Sequence, residues 1–194
     1  MLRVPESLIP PVGWDAAQRN PGYRPSMRTY RRDRTPGACY FFTVVLADRR
    51  RRTLIDHIDA LRDAFRRTLI AHPLHMDAIV VLPDHLHCLW QLPPGDDAYP
   101  HRWRSIKARF SEGVADDISP TASRLRRGER GVWQRRYWEH RIRDDDDYLR
   151  HLDYIHHNPV KHGHVSMAKD WPYSSFRRWV ARGVYPDDWA GPPQ

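Results

Sequence analysis

The chain has few cysteines and no long apolar run. It contains two cysteines in 194 residues, Cys39 and Cys88, and neither belongs to a Cys-x-x-Cys pair. This spacing argues against a disulfide framework or a cysteine-based zinc site, and we expect two buried, reduced thiols. No apolar segment is long enough to span a membrane, and no signal-type stretch opens the chain. We therefore expect a cytoplasmic protein without a membrane partner.

Lysine is also scarce. Only three of the 32 basic residues are lysines, so the net charge of +8 is carried almost entirely by arginine. A guanidinium donates two parallel hydrogen bonds to a phosphate and stacks on bases, and eight tryptophans add stacking surfaces. The composition favours a nucleic-acid partner; the alternative is an arginine-rich surface without a ligand. The candidate DNA-binding residues are Arg31, Arg32, Arg49, Arg50, Arg51, Arg52, Arg104, Lys107, Arg135, Arg136 and Lys161.

Hydrophobic periodicity predicts one domain. Residues 39–46, 76–82, 85–92 and 132–142 have the composition of strands, whereas 53–71 and 101–114 carry apolar residues at helical spacing. The order is strand, helix, strand, strand, helix, strand, followed by a further helix. This order predicts an α+β, ferredoxin-like (RRM-like) βαββαβ antiparallel sheet with helices on one face and the other face open. We place an irregular leader at 1–27, the domain at 28–165, and a tail packed on or near it at 166–194.

Two histidines alternate with apolar residues in the third predicted strand. Because successive strand side chains point to opposite faces, Leu86, Cys88 and Trp90 share one face, and His85 and His87 share the other. Two imidazoles held side by side on a sheet are suited to binding a divalent metal. The alternative is a solvated strand face that carries two histidines.

The helix after the fourth strand carries a tyrosine away from its apolar stripe. Asp144 to Asp147 are typical of an N-cap and a first helical turn, and Pro159 predicts that the helix ends at Asn158. The predicted stripe consists of Tyr148, Leu149, Leu152 and Ile155. Tyr154 lies off this stripe. It is either a half-exposed side chain with a solvated hydroxyl or a nucleophile. Asn158 follows it by one helical turn.

Five segments together resemble the REP-associated tyrosine transposases, a group of the single-tyrosine HUH transposases. They are VVLPDHLHCLW at 80–90, WEH at 138–140, DYIHHNPVKHG at 153–163, DWPYSSF at 170–176 and DWAG at 188–191. The resemblance covers residues 30–191 in order, and no motif position is missing.

The resemblance implies a ferredoxin-like fold and specific roles. Tyr154 corresponds to the family nucleophile, His85 and His87 to its metal-binding histidines, and Asn158 to its third ligand, with Mg²⁺ or Mn²⁺ as the metal. It further implies a nucleoid-associated monomer that cleaves and rejoins single-stranded DNA at REP (repetitive extragenic palindromic) hairpins through a 5′-phosphotyrosine.

Two other functions share these features. A domesticated hairpin-binding protein without cleavage would keep the basic surface and the sheet. An RNA-binding module of the RRM type would keep the βαββαβ order and stack bases on the open sheet face. A zinc hydrolase is disfavoured because no acidic or sulfur ligand stands at suitable spacing.

A chain that starts at Met27 should keep the stability and activity of the full chain. Residues 1–25 hold five prolines and no sustained periodicity, so they cannot build a core. Urea unfolding and single-strand cleavage of the two chains, measured side by side, test this, and a large loss of either property in the shorter chain would contradict it.

Overall fold

The computed structural model describes residues 32–115 and 131–191. The predicted leader and Arg31 lie outside the described residues. The described elements are β1 (Cys39–Val45), α1 (Thr53–Asp56), α2 (Ile58–Ala71), β2 (His75–Val81), β3 (His85–Gln91), α3 (Tyr99–Gly113), β4 (Trp138–Arg141), α4 (Asp145–Lys161), a 3₁₀ turn (Ala168–Asp170) and α5 (Phe176–Ala181). Within these ranges, no helix is long and apolar enough to cross a membrane.

The four strands form one antiparallel sheet in the order β2-β3-β1-β4. This is the strand order of a split βαββαβ unit, in which each crossover places a helix on the sheet and returns the chain two strands away. The predicted α+β class is therefore confirmed. β1 and β3 occupy the centre, which agrees with the apolar composition of both strands.

Helices α2 and α3 cover one face of the sheet. Their apolar sides enclose strand residues such as Phe42 and Trp90, and the Trp90 and Trp103 rings stack with centroids 4.3 Å apart. Trp90, Trp103 and Phe42 are fully buried. This core anchors the back of the strand that carries His85 and His87.

Helix α4 covers the opposite face, which the sequence pattern predicts to be open. Leu152 and Ile155 pack against strand residues that include Phe41, Val80 and Leu89. The segment after α4 extends this second core with Phe176, Tyr185, Trp171 and Trp189. The open face that an RNA-binding module of the RRM type needs is therefore occupied over β2 and β3.

Several predicted boundaries differ from the structure. The predicted helix at 53–71 is interrupted at His57, whose backbone leaves the helical region (φ −117°, ψ 39°). The fourth strand covers only Trp138–Arg141, while Trp133 forms a single bridge with Leu46. Both departures shorten regular structure without changing the order of the elements.

The tyrosine helix runs past Asn158 to Lys161, contrary to the prediction. Pro159 stands in the last turn, and its missing N–H removes one backbone hydrogen bond. The helix tolerates this loss because it ends only two residues later, at Lys161. The backbone amides of His162 and His164 then satisfy the carbonyls of Asn158 and Pro159. Leu149, predicted in the apolar stripe, is 41% exposed because the stripe follows Tyr148, Leu152 and Ile155.

Replacing Trp103 with alanine should destabilise the fold by about 3–5 kcal/mol, because it empties a fully buried site facing Trp90. Ile70→Ala is the matched control, since that side chain is 74% exposed and its loss should change stability by at most about 0.5 kcal/mol. Urea unfolding of both variants measures the difference. Equal effects would show that the α2–α3 core does not carry the stability assigned to it.

Candidate active site

His85 and His87 lie at the start of β3 and face α4. They pair with Val45 and Thr43 of β1, while Leu86 and Cys88 point into the opposite core. The predicted alternation of faces is therefore confirmed. Both imidazoles are buried, and their ring centroids stand 4.9 Å apart.

Each imidazole is held through Nδ1. His85 Nδ1 lies 2.6 Å from Asp84 Oδ1, and His87 Nδ1 lies 2.9 Å from the Thr43 hydroxyl. Asp84 also accepts a 2.7 Å hydrogen bond from Arg49 Nε. Burial by itself raises the pKa of Asp84, but the hydrogen bonds from His85 and Arg49 outweigh it and hold the pKa well below the ordinary carboxyl value. In the tautomer with hydrogen on Nδ1, both Nε2 atoms keep a lone pair.

Two buried atoms of the predicted ligand set have no hydrogen-bond partner among the described residues. They are Nε2 of His87 and Oδ1 of Asn158. Burial, and after it the neighbouring His85 imidazole, lowers the pKa of His87 well below its ordinary value, so the His87 ring is neutral. A buried acceptor without a partner costs free energy, and coordination to a divalent cation removes that cost. An imidazole nitrogen and an amide oxygen, each buried and without a partner, are donor atoms of the kinds that divalent metals bind.

Tyr154 lies on α4 beside these histidines. Its ring centroid is 5.1 Å from that of His87 and 5.9 Å from that of Phe41, both in edge-on geometry. Lys161 Nζ stands 5.4 Å from the same ring. Asn158 is completely buried one turn later, with Nδ2 donating to the Tyr154 carbonyl over 3.3 Å. The fold thus brings the ring of Tyr154 next to His85 and His87, which lie about seventy positions earlier in the chain.

The start of α4 follows the predicted capping. Asp144 has extended backbone geometry, and its carboxylate accepts a 2.8 Å hydrogen bond from the amide of Asp147. Three further aspartates occupy the first turn, where they complement the positive end of the helix dipole. This cap fixes where the helix begins and therefore which residues reach the sheet.

The predicted DNA-binding side chains fall into different settings. Arg49 pairs with Asp84 and so borders the site, whereas Arg50 and Arg51 pair with Asp48 and Arg52 pairs with Asp56. Arg104, Arg135 and Arg136 are exposed. Arg32 pairs with Glu139 and lies over the Tyr137 ring.

Lys107 has a structural setting rather than a free surface position. Its ammonium donates to the Gln134 carbonyl over 2.7 Å and lies 6.0 Å from the Trp133 ring. Burial, and after it the charge of Arg32, lowers the pKa of Lys107 to about 8. This lysine ties the segment before β4 to α3.

A second group of polar side chains lies on the same sheet face and was not predicted as a site. Ligand atoms of His140, Asp147 and His151 all lie within 4.8 Å of one another, so this group could hold a metal ion. Asp147, however, already accepts hydrogen bonds from Arg143 and Arg150 as well as from His140. Two guanidinium groups offset the charge of that carboxylate and weaken its attraction for a cation. Asp147 and His151 stand four residues apart on α4, so helical spacing alone places them on one side of that helix, whereas His140 comes from β4 and nothing in the sequence predicted that it joins them.

Comparison with known proteins places these observations in a family. No family model matches the chain. It is 49% identical over 168 residues to a provisionally named REP-associated tyrosine transposase of Haemophilus influenzae (strain ATCC 51907 / DSM 11121 / KW20 / Rd), covering 86% of this chain and 96% of that protein. It is 46% identical over 165 residues to the REP-associated tyrosine transposase of Escherichia coli (strain K12), covering 85% and 92% respectively.

A solved structure supports the same assignment. A REP-associated tyrosine transposase bound to a REP hairpin superposes with a TM-score of 0.75 at 45% identity, over 86% of this chain and 93% of that chain. The chain therefore belongs to the REP-associated tyrosine transposases.

Proposed function

We propose that this protein cuts and rejoins single-stranded DNA beside a REP-type hairpin through a covalent 5′-phosphotyrosine on Tyr154. One observation carries the proposal: a tyrosine ring stands 5.1 Å from His87, whose buried Nε2 has no partner among the described residues. The hairpin substrate is inferred from the relative whose structure contains one. We further propose that the protein acts as a monomer.

The residues divide the chemistry between them. The Tyr154 hydroxyl attacks phosphorus and loses its proton, the bond from phosphorus to the 3′-oxygen breaks, and that oxygen leaves as a 3′-hydroxyl after taking a proton. A second 3′-hydroxyl reverses the step, because a phenolate leaves more readily than an alkoxide. No nucleotide cofactor is needed, since the phosphotyrosine conserves the bond energy.

His85, His87 and Asn158 would hold the metal ion, either Mg²⁺ or Mn²⁺. When bound there, a divalent ion would polarise the scissile phosphate and would offset the charge that develops on the leaving oxygen. Three uncharged ligands leave the cation's charge uncompensated for the phosphate, and imidazole ligands suit Mn²⁺ better than Mg²⁺. Asp84 and Thr43 hold the two rings from behind, as groups around metal-binding histidines generally do.

Substitutions of the nucleophile and of a ligand should fail differently. Tyr154→Phe keeps the ring and the helix but removes the attacking oxygen, so it should form no protein–DNA adduct while it binds hairpin DNA and Mn²⁺ normally. His87→Ala should bind the hairpin but lose metal-dependent cleavage by at least about a hundredfold. Denaturing electrophoresis of a 3′-labelled single strand detects the adduct.

The adduct assay also separates this proposal from a hairpin-binding protein without cleavage. If the unaltered protein binds the hairpin yet traps no labelled strand with either metal, the binding function stands and the cleavage function is wrong. If Tyr154→Phe still traps the strand, another residue is the nucleophile.

Direct measurement of Mn²⁺ affinity should locate the metal. In the Tyr154→Phe protein, Thr43→Val should weaken Mn²⁺ binding by about 10- to 100-fold, because His87 loses the hydroxyl that holds Nδ1. Thr43→Ser keeps that hydroxyl and should bind nearly normally, and His140→Ala should have no effect. Isothermal titration calorimetry measures all three. Loss of binding in His140→Ala alone would move the metal to the group formed with Asp147 and His151.

A further inference from the structure

Trp138 is an exposed aromatic residue next to the candidate active site. The exposed large hydrophobic side chains of the described residues are Ile70, Trp138, Leu149, Met167 and Val184, and only Trp138 among these is aromatic. It lies on the edge strand β4 with 46% of its surface accessible. Exposure of one such side chain is ordinary, so its position on the sheet must decide whether it has a role.

Strand register places Trp138 level with the candidate metal ligand. Trp138 pairs with Thr43 on β1, and Thr43 pairs with His87 on β3. Because neighbouring strands lie about 4.8 Å apart, Trp138 and His87 are separated by about 10 Å across the sheet. Both point to the α4 face, where the Phe41 ring contacts Trp138 at 5.7 Å and His87 at 5.4 Å. α4 packs mainly over β2 and β3, which leaves Trp138 beside the site rather than beneath the helix.

Two histidines continue from Trp138 as a stack of rings. The Trp138 and His140 rings are nearly parallel (6°) with centroids 5.8 Å apart, and the His140 and His151 rings are 4.8 Å apart at 17°. Asp147 holds both histidines: its carboxylate lies 2.7 Å from His140 Nε2, and its carbonyl lies 2.7 Å from His151 Nδ1. We call Trp138, His140 and His151 the aromatic shelf. Asp147 thus fixes the inner two rings of the shelf, His140 through its buried carboxylate and His151 through its backbone carbonyl, while the outer ring meets solvent.

Positive charge surrounds the aromatic shelf. Arg143 and Arg150 pair with the buried Asp147 and still expose 63% and 35% of their side chains. Arg136, two residues before Trp138, is exposed. An exposed tryptophan flanked by arginines provides one stacking surface and several phosphate contacts, which is the combination that single-stranded nucleic acid requires. The same arginines oppose a cation on Asp147, so we assign the histidines a supporting role for Trp138.

We propose that the aromatic shelf binds an unpaired base of the single strand that leads from the hairpin to the active site, with Trp138 stacking on that base. This inference rests on the proposed function. A separation of about 10 Å corresponds to about three stacked nucleotides, so the base lies within three nucleotides of the phosphate that Tyr154 attacks. Stacking accepts any base, so the shelf positions the strand and leaves sequence recognition to other contacts.

The test compares two DNA hairpins in the Tyr154→Phe protein, which cannot cleave. Both hairpins derive from a palindrome flanking the gene; one is blunt, and the other carries an extension of about six thymidines, a length within the range that single-strand-binding domains cover. Trp138→Ala should weaken binding of the extended hairpin by about 5- to 100-fold and leave the blunt hairpin unchanged. Trp138→Phe should recover most of the loss. Ile70→Ala, which removes an exposed side chain from α2, should alter neither.

Abasic substitution along the extension identifies the stacked position. Loss of one base within three nucleotides of the cleavage position should weaken binding to the parent protein but cause no additional loss in Trp138→Ala, since both changes remove the same contact. If Trp138→Ala weakens binding of both hairpins equally, or of neither, the shelf assignment is wrong. Hairpin binding by the parent protein would still support the proposed function in that case. Failure of the parent to bind either hairpin would contradict both.

Discussion

Burial of one side of α4 against the sheet is the contact on which the candidate site depends. Leu152 and Ile155 are fully buried on a surface formed by Phe41, Val80 and Leu89. Each such side chain contributes roughly 1.5–3 kcal/mol through the hydrophobic effect, so the helix is held firmly without any contact from the site itself. Because Tyr154 lies one residue before Ile155, the same contact sets the height of its ring above His87.

Hydrogen bonds around His85 and His87 then fix the orientation of the two rings that packing has positioned. Asp84 and Thr43 each occupy one ring nitrogen, and burial keeps His87 neutral. A neutral imidazole whose Nδ1 is hydrogen-bonded can coordinate a metal only through Nε2, and the hydrogen bond fixes the direction in which Nε2 points. Arg49 adds a second hydrogen bond to Asp84, so at least one predicted DNA-binding arginine also shapes the end of the sheet that carries the candidate metal ligands.

Phe41 connects the two groups of candidate functional side chains on this face. Its buried ring contacts His87 and Tyr154 on one side and Trp138 and His151 on the other. An aromatic ring packed at native density transmits small displacements rather than absorbing them. Tyr154 and the aromatic shelf are therefore held in one rigid unit, and a DNA strand lying along the shelf would meet Tyr154 at a fixed distance.

Local patterns in the sequence determined the elements and the side-chain directions within each of them. Alternation along β3 placed His85 and His87 on a common face, and the aspartates from 144 to 147 marked the start of α4. Both results depend on the geometry of a single strand or helix, which is set by backbone sterics and by hydrogen bonds between near neighbours. Tyr154 and Asn158 fall one turn apart for the same reason.

Only the tertiary structure decided which surfaces meet. The apolar stripe of α4 predicted burial but did not show that it would close the open face of the sheet. Helical spacing put Asp147 and His151 on one side of α4, but nothing in the sequence indicated that His140 of β4 joins them. The sequence alone suggests that Lys107 is a surface cation. In the structure α3 packs against the segment before β4, and the Lys107 ammonium donates a hydrogen bond to the Gln134 carbonyl. A periodic pattern in the sequence predicts that one face of a helix or strand is buried. The surface that covers this face depends on how elements far apart in the chain pack together, and that packing is set by the shape and volume of the whole core.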